Sequence, residues 1–264
     1  MTSQFETGAL DKALRKLKLS GMLETLDARL NQARAGDLGH VEFLLALCED
    51  EISRREATAM LRRQRRAKFE EQVTLEGFDF KASTKIPAAV IRDLATLHWL
   101  HEGSSIILFG PVGVGKTHVA QSLGQLVIRA GHDVRFIKAS RALAHLSGGH
   151  ADGSWPRRLA ELARPAVLIL DDWAMRELKA AQADDLYELV SERAVARKPL
   201  ILTSNRAPKD WYPLFPNKVV GESLLDRLIN NSYQVLMDGP SYRPNKRPGR
   251  PADDIGKTTG QDTT

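Results

Sequence analysis

The sequence predicts an α/β domain built on a parallel five-stranded sheet and preceded by a small all-helical domain. Five short apolar runs alternate with helical stretches beyond residue 86, as the strands of a sheet covered on both faces do. The first of these runs leads directly into a glycine-rich loop, Gly110-Pro111-Val112-Gly113-Val114-Gly115-Lys116-Thr117. A strand followed by this G-x-x-x-x-G-K-T pattern is the signature of a phosphate-binding loop (P-loop). The fold is therefore expected to bind a nucleoside triphosphate with Mg²⁺.

Composition and charge limit the class of protein further. The chain has 264 residues, of which 42% are hydrophobic, and a formal net charge of +5. This length allows one large domain and one small one, each with a real core. The basic balance favours a partner that carries phosphates, most often nucleic acid, although basic proteins without such a partner exist. The single cysteine, Cys48, lies in an apolar helical run, so we expect a buried thiol and no disulfide.

Neither a secretory leader nor a membrane span is expected. Residues 1–10 are polar, and no stretch reaches the roughly 18 apolar residues that cross a bilayer. The sequence therefore predicts a cytoplasmic protein with no membrane partner.

Residues 1–69 are predicted to form the helical N-terminal domain. Apolar residues recur there at three- to five-residue steps, the spacing of a helix face: Leu10, Leu14, Leu17, Met22, Leu26 and Leu30. The turn-forming segment 36–39 separates them from a second helical run. That run ends in a dense group of basic residues, Arg54, Arg55, Arg62, Arg63, Arg65, Arg66 and Lys68. We expect this group to contact DNA or a protein partner, the alternative being an ordinary solvated helix face.

The nucleotide-binding domain is predicted over residues 86–243, after a polar and aromatic connector at 70–85. Its strands are expected at 106–109, 134–137, 167–170, 200–203 and 235–237. Residues 244–264 contain almost no apolar side chains and are predicted to be a disordered basic and polar tail.

The P-loop residues have distinct expected roles. Its glycines let successive backbone N–H groups point at the phosphates, and the following helix presents the positive end of its dipole to them. Lys116 is expected to reach the β- and γ-phosphates, and the Thr117 hydroxyl to ligate Mg²⁺. The alternative is a glycine-rich turn without function.

A second apolar run ends in two carboxylates, Asp171 and Asp172, which is the Walker B arrangement. We expect Asp171 to hold the Mg²⁺ shell through a water molecule, and Asp172 to orient or deprotonate the attacking water. The alternative is a strand followed by a helix cap, a position where Asp is common. Many ATPases carry Glu at the second position, so the shorter Asp172 predicts slow or partner-dependent hydrolysis.

Three further positions are candidates for the site or for DNA contact. Asn205 follows the next strand and would bond the γ-phosphate and the attacking water if its strand neighbours the P-loop strand, the alternative being a plain strand-to-loop transition. Arg227 lies among apolar neighbours in a predicted helix, either as an arginine finger inserted into a neighbouring subunit or as the ion-pair partner of a nearby carboxylate, Asp226 or Glu222. Lys138 and Arg141 follow the second strand and are further DNA-contact candidates.

Five segments between residues 69 and 243 together resemble the IstB/DnaC branch of the AAA+ ATPases. They read GPVGVGKTH, LILDDW, LTSNRAPKDWYPLF, ESLLDRLINNSYQV and GPSYR. The third and fourth are far more specific than a P-loop. They resemble IstB, the ATP-dependent helper of insertion-sequence transposition, more closely than the helicase loader DnaC. The basic helical N-terminus also looks like the IstB N-terminal region.

This resemblance implies an AAA+ domain that uses ATP with Mg²⁺ and oligomerises through its ATP interface. It implies binding to duplex DNA without strong sequence preference, recruitment of a transposase, and a bacterial protein that joins the nucleoid when bound to DNA. By matched position, Asn205 becomes the sensor at the strand tip, Arg227 the arginine finger, and Arg243 a sensor-type arginine near the phosphates. ATP hydrolysis would act as the switch.

Two alternatives stay open, and one element is expected to be missing. The chain could be a helicase loader of the DnaC type that prefers single-stranded DNA, or an ATP-gated DNA clamp with negligible hydrolysis. Too little apolar sequence follows Arg227 for the helical lid of many AAA+ proteins, so the lid is expected to be reduced or absent. The adenine would then be covered by the segment near 86–91 or by a neighbouring subunit.

Overall fold

The computed structural model describes residues 4–36, 38–81, 83 and 85–242. The chain divides into two compact units between Arg63 and Gln64. Arg243 and the predicted tail at 244–264 lie outside the described residues. The sequence predicts the helical domain to end at residue 69, whereas the structural division falls inside the third helix.

The first unit is built on three helices, α1 (Gln4–Lys16), α2 (Ser20–Arg34) and α3 (His40–Ala67). Leu14, Leu26 and Leu47, one from each helix, form its buried core. The helical N-terminal region that the sequence predicts is thus confirmed. The break between α1 and α2 is a turn at Lys18, where φ is +58°, and it was not predicted.

Two neighbouring carboxylates of α3 fasten α2. Glu51 is buried and accepts the Gly21 N–H at 2.5 Å. Asp50 accepts the Thr25 hydroxyl at 2.7 Å and pairs with Arg29 at 2.8 Å. The hydrogen bonds from Arg29 and then Thr25 lower the pKa of Asp50 to about 2. The two helices approach so closely at Gly21 that a Cβ there would lie 2.8 Å from the Asp50 carbonyl oxygen.

Cys48 is exposed, so the expectation of a buried thiol is wrong. Its neighbour Leu47 takes the core-facing position on α3 and is 5% exposed. Consecutive residues on a helix are rotated by about 100°, and at this point of α3 the rotation takes Cys48 out of the face on which Leu47 is buried.

The second unit contains the predicted parallel sheet. Its strands are β1 (Ser105–Phe109), β2 (Val134–Lys138), β3 (Val167–Trp173), β4 (Leu200–Ser204) and β5 (Ser232–Leu236). All pairings are parallel, and the order across the sheet is β2-β3-β4-β1-β5. The five-stranded parallel sheet is therefore confirmed, with β5 beginning three residues earlier than its apolar run suggested.

Helices cover both faces of the sheet. They are α4 (Ala88–Leu94), α5 (His98–Glu102), α6 (Lys116–Arg129), α7 (Ala139–Asp152), α8 (Trp155–Ala163), α9 (Ala180–Val195) and α10 (Lys218–Asn230). On one face α6 packs so closely that a Cβ at Gly124 would lie 2.9 Å from the Ile169 Cδ1 atom. On the other, side chains of α7 to α10 join Leu168 and Leu202 in the main apolar core.

Two absences concern the described residues alone. None of their helices is long and apolar enough to cross a membrane. Residues 237–242, the described part of the chain after β5, contain no helix.

A buried arginine fixes the entries to two adjacent strands, β3 and β4. Arg193 on α9 is 1% exposed. Its guanidinium donates hydrogen bonds to five backbone carbonyls, those of Leu162, Ala163, Pro165, Ala166 and Pro199. These carbonyls precede β3 and β4. One side chain thereby satisfies backbone acceptors that would otherwise be buried without a donor.

The strand order brings three candidate segments to one edge. β4 lies between β1, which leads into the P-loop, and β3, which ends in the acidic pair. Ser204, the last residue of β4, accepts the Gly110 N–H at its carbonyl (3.2 Å) and donates from its hydroxyl to the Trp173 carbonyl (2.9 Å). The condition for Asn205 to lie beside the P-loop is therefore met.

Candidate nucleotide-binding site

The P-loop joins β1 to α6 and takes a shape that requires its glycines. Gly110, Gly113 and Gly115 have φ values of +141°, +88° and +91°. Residues other than glycine rarely adopt such φ angles. Because α6 begins at Lys116, directly after Gly115, the unpaired N–H groups of its first turn face the loop.

Lys116 is folded over its own loop. It is 7% exposed, and its Nζ donates to the carbonyls of Gly110 (2.8 Å) and Pro111 (2.6 Å). The ammonium group therefore lies at the mouth of the P-loop, where a phosphate oxygen can replace a carbonyl as its acceptor.

Asp171 lies at the centre of a network of two hydroxyl groups. The Thr117 hydroxyl donates to its Oδ1 atom at 2.7 Å, and the Thr203 hydroxyl donates to the same atom at 2.6 Å. Asp171 is 2% exposed. Burial raises the pKa of Asp171, while the hydrogen bonds from Thr203 and Thr117 oppose that rise.

The donor atoms of this network fit Mg²⁺. Magnesium prefers hard oxygen ligands and usually keeps several waters while binding one or two protein groups and the substrate phosphates. The Thr117 hydroxyl and the Asp171 carboxylate are such oxygens, and they meet at the end of the P-loop. Among the described residues, no cluster of three His, Cys, Asp or Glu side chains offers a larger cage. Thr117 and Asp171 would hold the ion.

Asp172 leaves the strand ladder at an irregularity. The pairing of β3 with β4 shifts register between Leu170 and Trp173, and Asp172 has a φ of +56°. Its N–H donates to the Thr203 hydroxyl at 3.0 Å, and its side chain is exposed at the cleft. Asp is among the few non-glycine residues enriched in left-handed backbone, so this position favours Asp over the longer Glu.

Thr203 is the residue that sequence reasoning missed. Its hydroxyl donates to Asp171 and accepts from the Asp172 N–H, so it holds both acidic residues. It is 1% exposed, at the fourth position of β4. The available signal was a hydroxyl residue inside an otherwise apolar strand, two positions before Asn205.

Asn205 lies at the cleft beside the P-loop, together with Lys116 and Asp172. Its Nδ2 atom contacts the Met175 sulfur at 3.4 Å. A thioether is a weak acceptor, so this amide can readily turn to a stronger one.

The cleft at this edge has a volume of about 380 Å³, within the range of small-molecule sites. It is lined by residues 112–117 of the P-loop and by Phe78, Ile86 and Tyr242. Ile86, the first residue of one of the two elements expected to cover the adenine, lines the cleft. Phe78 was not predicted. A Cβ atom on Gly115 would lie 2.5 Å from the Phe78 ring.

Arg227 lies outside this cleft. It is exposed on α10, with its guanidinium 5.0 Å from the centre of the Tyr187 ring and donating to the Ser191 hydroxyl. No carboxylate of the described residues, including Asp226 and Glu222, lies within ion-pair distance of it. Arg243, the other arginine expected near the phosphates, lies outside the part of the chain that the structure describes.

The DNA-contact candidates separate into paired and unpaired groups. Arg54 and Arg55 both pair with Glu51, at 3.4 and 2.6 Å, and Lys138 pairs with Glu70 at 3.3 Å. The remaining candidates form no ion pair with any described residue: Arg62, Arg63, Arg65, Arg66, Lys68 and Arg141. All of these except Arg63, which is half-buried, are exposed.

A P-loop, an acidic strand end and a polar neighbouring strand end on this sheet order define a nucleotide-binding protein with the AAA+ fold. The crystal structure of the DnaC helicase loader shares the fold, with a TM-score of 0.56 and 20% sequence identity over 63% of this chain and 97% of that one.

The chain belongs to the family of IstB-like ATP binding proteins, whose family model matches residues 12–249. It is 69% identical to the insertion-sequence ATP-binding protein Rv3427c of Mycobacterium tuberculosis, over 92% of this chain and 96% of that protein. It is 33% identical to the ATP-binding protein of insertion sequence IS21 from Pseudomonas aeruginosa, over 89% of this chain and 88% of that one.

Proposed function

We propose that this protein is an ATP-dependent, DNA-binding helper of transposition. It assembles on duplex target DNA, recruits and activates its transposase, and uses ATP hydrolysis as the switch that ends this state. The observation that carries the proposal is the network in which Thr203 holds Asp171 and Asp172 beside Thr117 of the P-loop. A site arranged for phosphate binding alone would not need the second carboxylate.

ATP binding uses the groups of the P-loop. The backbone N–H groups of residues 112–117, which run into the first turn of α6, surround the phosphates. Lys116 exchanges the carbonyls of Gly110 and Pro111 for β- and γ-phosphate oxygens. Mg²⁺, when bound, neutralises charge on those oxygens. The Thr117 hydroxyl and the Asp171 carboxylate would hold the ion.

Hydrolysis uses the two groups at the neighbouring strand ends. Asp172 accepts a proton from the water whose oxygen forms the new bond to the γ-phosphorus. The bond between that phosphorus and the bridging oxygen breaks, and ADP leaves with the electron pair. Asn205 orients the water and the γ-phosphate with its side-chain amide. Both side chains line the same cleft as Lys116, which supports these roles.

Arg227 completes the site of a neighbouring subunit. It lies outside its own cleft, it is exposed, and no described carboxylate neutralises it. A cation that approaches the γ-phosphate from a second subunit ties hydrolysis to assembly. Turnover would therefore depend on oligomerisation.

DNA contact is assigned to the unpaired basic residues of α3. Lys and Arg side chains without an internal carboxylate partner are free to neutralise phosphates. The transposase partner is inferred from the insertion-sequence origin of the relatives.

Filter binding with duplex and single-stranded DNA, each with and without a non-hydrolysable ATP analogue, tests the function. We expect tighter binding to duplex DNA in the presence of the analogue. A preference for single-stranded DNA would favour a helicase-loader role instead. If phosphate release from the parent protein with DNA and transposase does not exceed that of a Lys116→Ala variant, the protein is a clamp without a hydrolytic switch.

A salt titration tests the DNA surface. Replacing both Arg65 and Arg66 by Gln should reduce the slope of log affinity against log salt by about 1 per lost phosphate contact. The matched control replaces Arg54 and Arg55, which Glu51 already holds, and should change the slope less. An unchanged slope in the Arg65/Arg66 variant would remove this part of α3 from the DNA surface.

A further inference from the structure

The segment that follows β5, residues 237–242, runs along the P-loop, and we call it the C-terminal strap. It begins where the Met237 N–H donates to the Phe109 carbonyl at 2.8 Å. It ends where the Tyr242 N–H donates to the Gly113 carbonyl at 2.9 Å. Backbone hydrogen bonds therefore join the strap to the end of β1 and to the middle of the P-loop.

The strap also occupies the space that P-loop side chains would need. A Cβ at Gly110 would collide with the Met237 carbonyl oxygen, and a Cβ at Gly113 would collide with the Ser241 side chain. Two of the loop's glycines are thus required by the strap as well as by their own positive φ angles. The P-loop and the strap therefore pack directly against each other.

On its other side the strap is fastened to the segment that precedes α4. The Ser83 hydroxyl donates to the Asp238 carbonyl at 3.2 Å, and Lys85 pairs with the Asp238 carboxylate at 3.2 Å. Gly239, with a φ of +142°, passes so close that a Cβ there would lie 2.6 Å from the Ser83 Oγ atom. The strap is therefore held between this segment and the P-loop.

Three strap residues, Asp238, Pro240 and Tyr242, line the same cleft as Lys116 and Thr117. The strap is thus a wall of the candidate nucleotide site as well as a support for its loop.

We propose that the C-terminal strap positions the P-loop for ATP and forms a wall of the cleft beside it. This inference rests on the ATP site proposed above. A loop held in its phosphate-binding shape before the ligand arrives loses less conformational freedom on binding, so its affinity is higher. The strap residues are positioning residues. Their loss should raise the KM for ATP and leave kcat at saturating ATP close to that of the parent.

The first test displaces the strap in the full chain. Gly239→Ala places a methyl group against Ser83 at a backbone angle that alanine disfavours. The matched control is Gly131→Ala, where φ is +92° and nothing lies within 4 Å of the added Cβ. Titration with a fluorescent ATP analogue should give a Kd about tenfold higher for Gly239→Ala than for Gly131→Ala. Equal affinities in the two variants would overturn the inference.

The second test removes one backbone donor and remains decisive if Gly239→Ala does not fold. Tyr242→Ala removes the ring but keeps the N–H that bonds Gly113, whereas Tyr242→Pro removes that donor as well. We expect Tyr242→Pro to bind the analogue more weakly than Tyr242→Ala, with similar melting temperatures for the two proteins without nucleotide. Equal affinities would show that the strap does not support the loop.

Binding of the ATP analogue by the parent protein distinguishes failure of the proposed ATP site from failure of the strap inference. If it does not bind the analogue, the proposed ATP site is wrong and the strap inference is wrong with it. If it binds, and both variant pairs bind equally well, the strap inference alone is wrong. A fall in kcat without a change in KM would likewise assign the strap to another role.

Discussion

The Thr203 hydroxyl donates to the Asp171 carboxylate at 2.6 Å and, from the other side, accepts the backbone N–H of Asp172. One buried hydroxyl on β4 thereby sets the positions of both acidic residues of β3. Since Thr117 bonds the same oxygen of Asp171, the P-loop, β3 and β4 meet at a single carboxylate.

Replacing Thr203 by valine should impair hydrolysis more than binding. Valine has the same shape but neither donates to Asp171 nor accepts from Asp172. A hydrogen bond to a charged group contributes about 1.5–3 kcal/mol, so we expect ATP turnover to fall by about tenfold or more. Phosphate release at saturating ATP measures the effect. Thr203→Ser keeps the hydroxyl and should retain most of the activity, and equal losses in both variants would contradict the role of the hydroxyl.

Two substitutions at Asp172 separate the effect of side-chain charge from that of side-chain length. Asn tolerates left-handed backbone as well as Asp does, so Asp172→Asn should fold normally. It should lose turnover by about a hundredfold if the carboxylate accepts the proton. Asp172→Glu keeps the charge on a less favourable backbone position and should retain part of the activity. An Asp172→Asn protein as fast as its parent would show that another group is the base.

Mixing two inactive variants tests whether Arg227 acts across subunits. Lys116→Ala should abolish ATP binding, and Arg227→Ala should bind ATP but lose turnover, because a finger contributes about 10³-fold or more. In mixed oligomers the Lys116 variant supplies Arg227 to the intact site of the other variant. We expect ATPase activity to return when the two are mixed. Activity that stays absent at all ratios, under conditions where the parent assembles, would place Arg227 outside the site.

The Asp50–Arg29 pair predicts a pH-dependent contribution to stability. The pKa of Asp50 is lowered from the ordinary 3.8 to about 2. The carboxylate therefore stabilises the fold above pH 3.8, and this stabilisation is lost as the pH falls towards 2. Allowing for solvent exposure of the pair, Asp50→Asn should cost about 1 kcal/mol at neutral pH.

Hydrogen exchange of α2 amides measures this contribution locally. Parent and Asp50→Asn proteins should differ at neutral pH and converge as the pH approaches 2. A difference that persists unchanged at low pH would mean that the pair is not its source.

Residues whose role follows from local pattern were predictable. Gly110 to Thr117 carry their conformation in their own sequence, and Asp171 follows an apolar run that can hardly be anything but a buried strand. The strand order was not predictable from spacing, because several orders satisfy the same alternation of strands and helices. The position of Asn205 depended on that order.

Contacts between segments far apart in the chain could not be predicted. Thr203 bonds a residue 32 positions away, and Ser83 bonds Asp238 across 155 positions. Neither has a short-range signature. The prediction that Cys48 is buried was wrong for a related reason, because an apolar run on a helix does not show which of its residues faces the core.

Cys48 allows the protein to be labelled chemically at a single site. It is the one cysteine of the chain, and its thiol is accessible on α3. A maleimide dye would therefore attach at one defined position, without any engineered thiol. Arg62 lies 14 residues further along the same helix, about 21 Å at 1.5 Å per residue. That distance is suitable for fluorescence resonance energy transfer. A dye on Cys48 and a second dye on the DNA would therefore report DNA binding and release in real time.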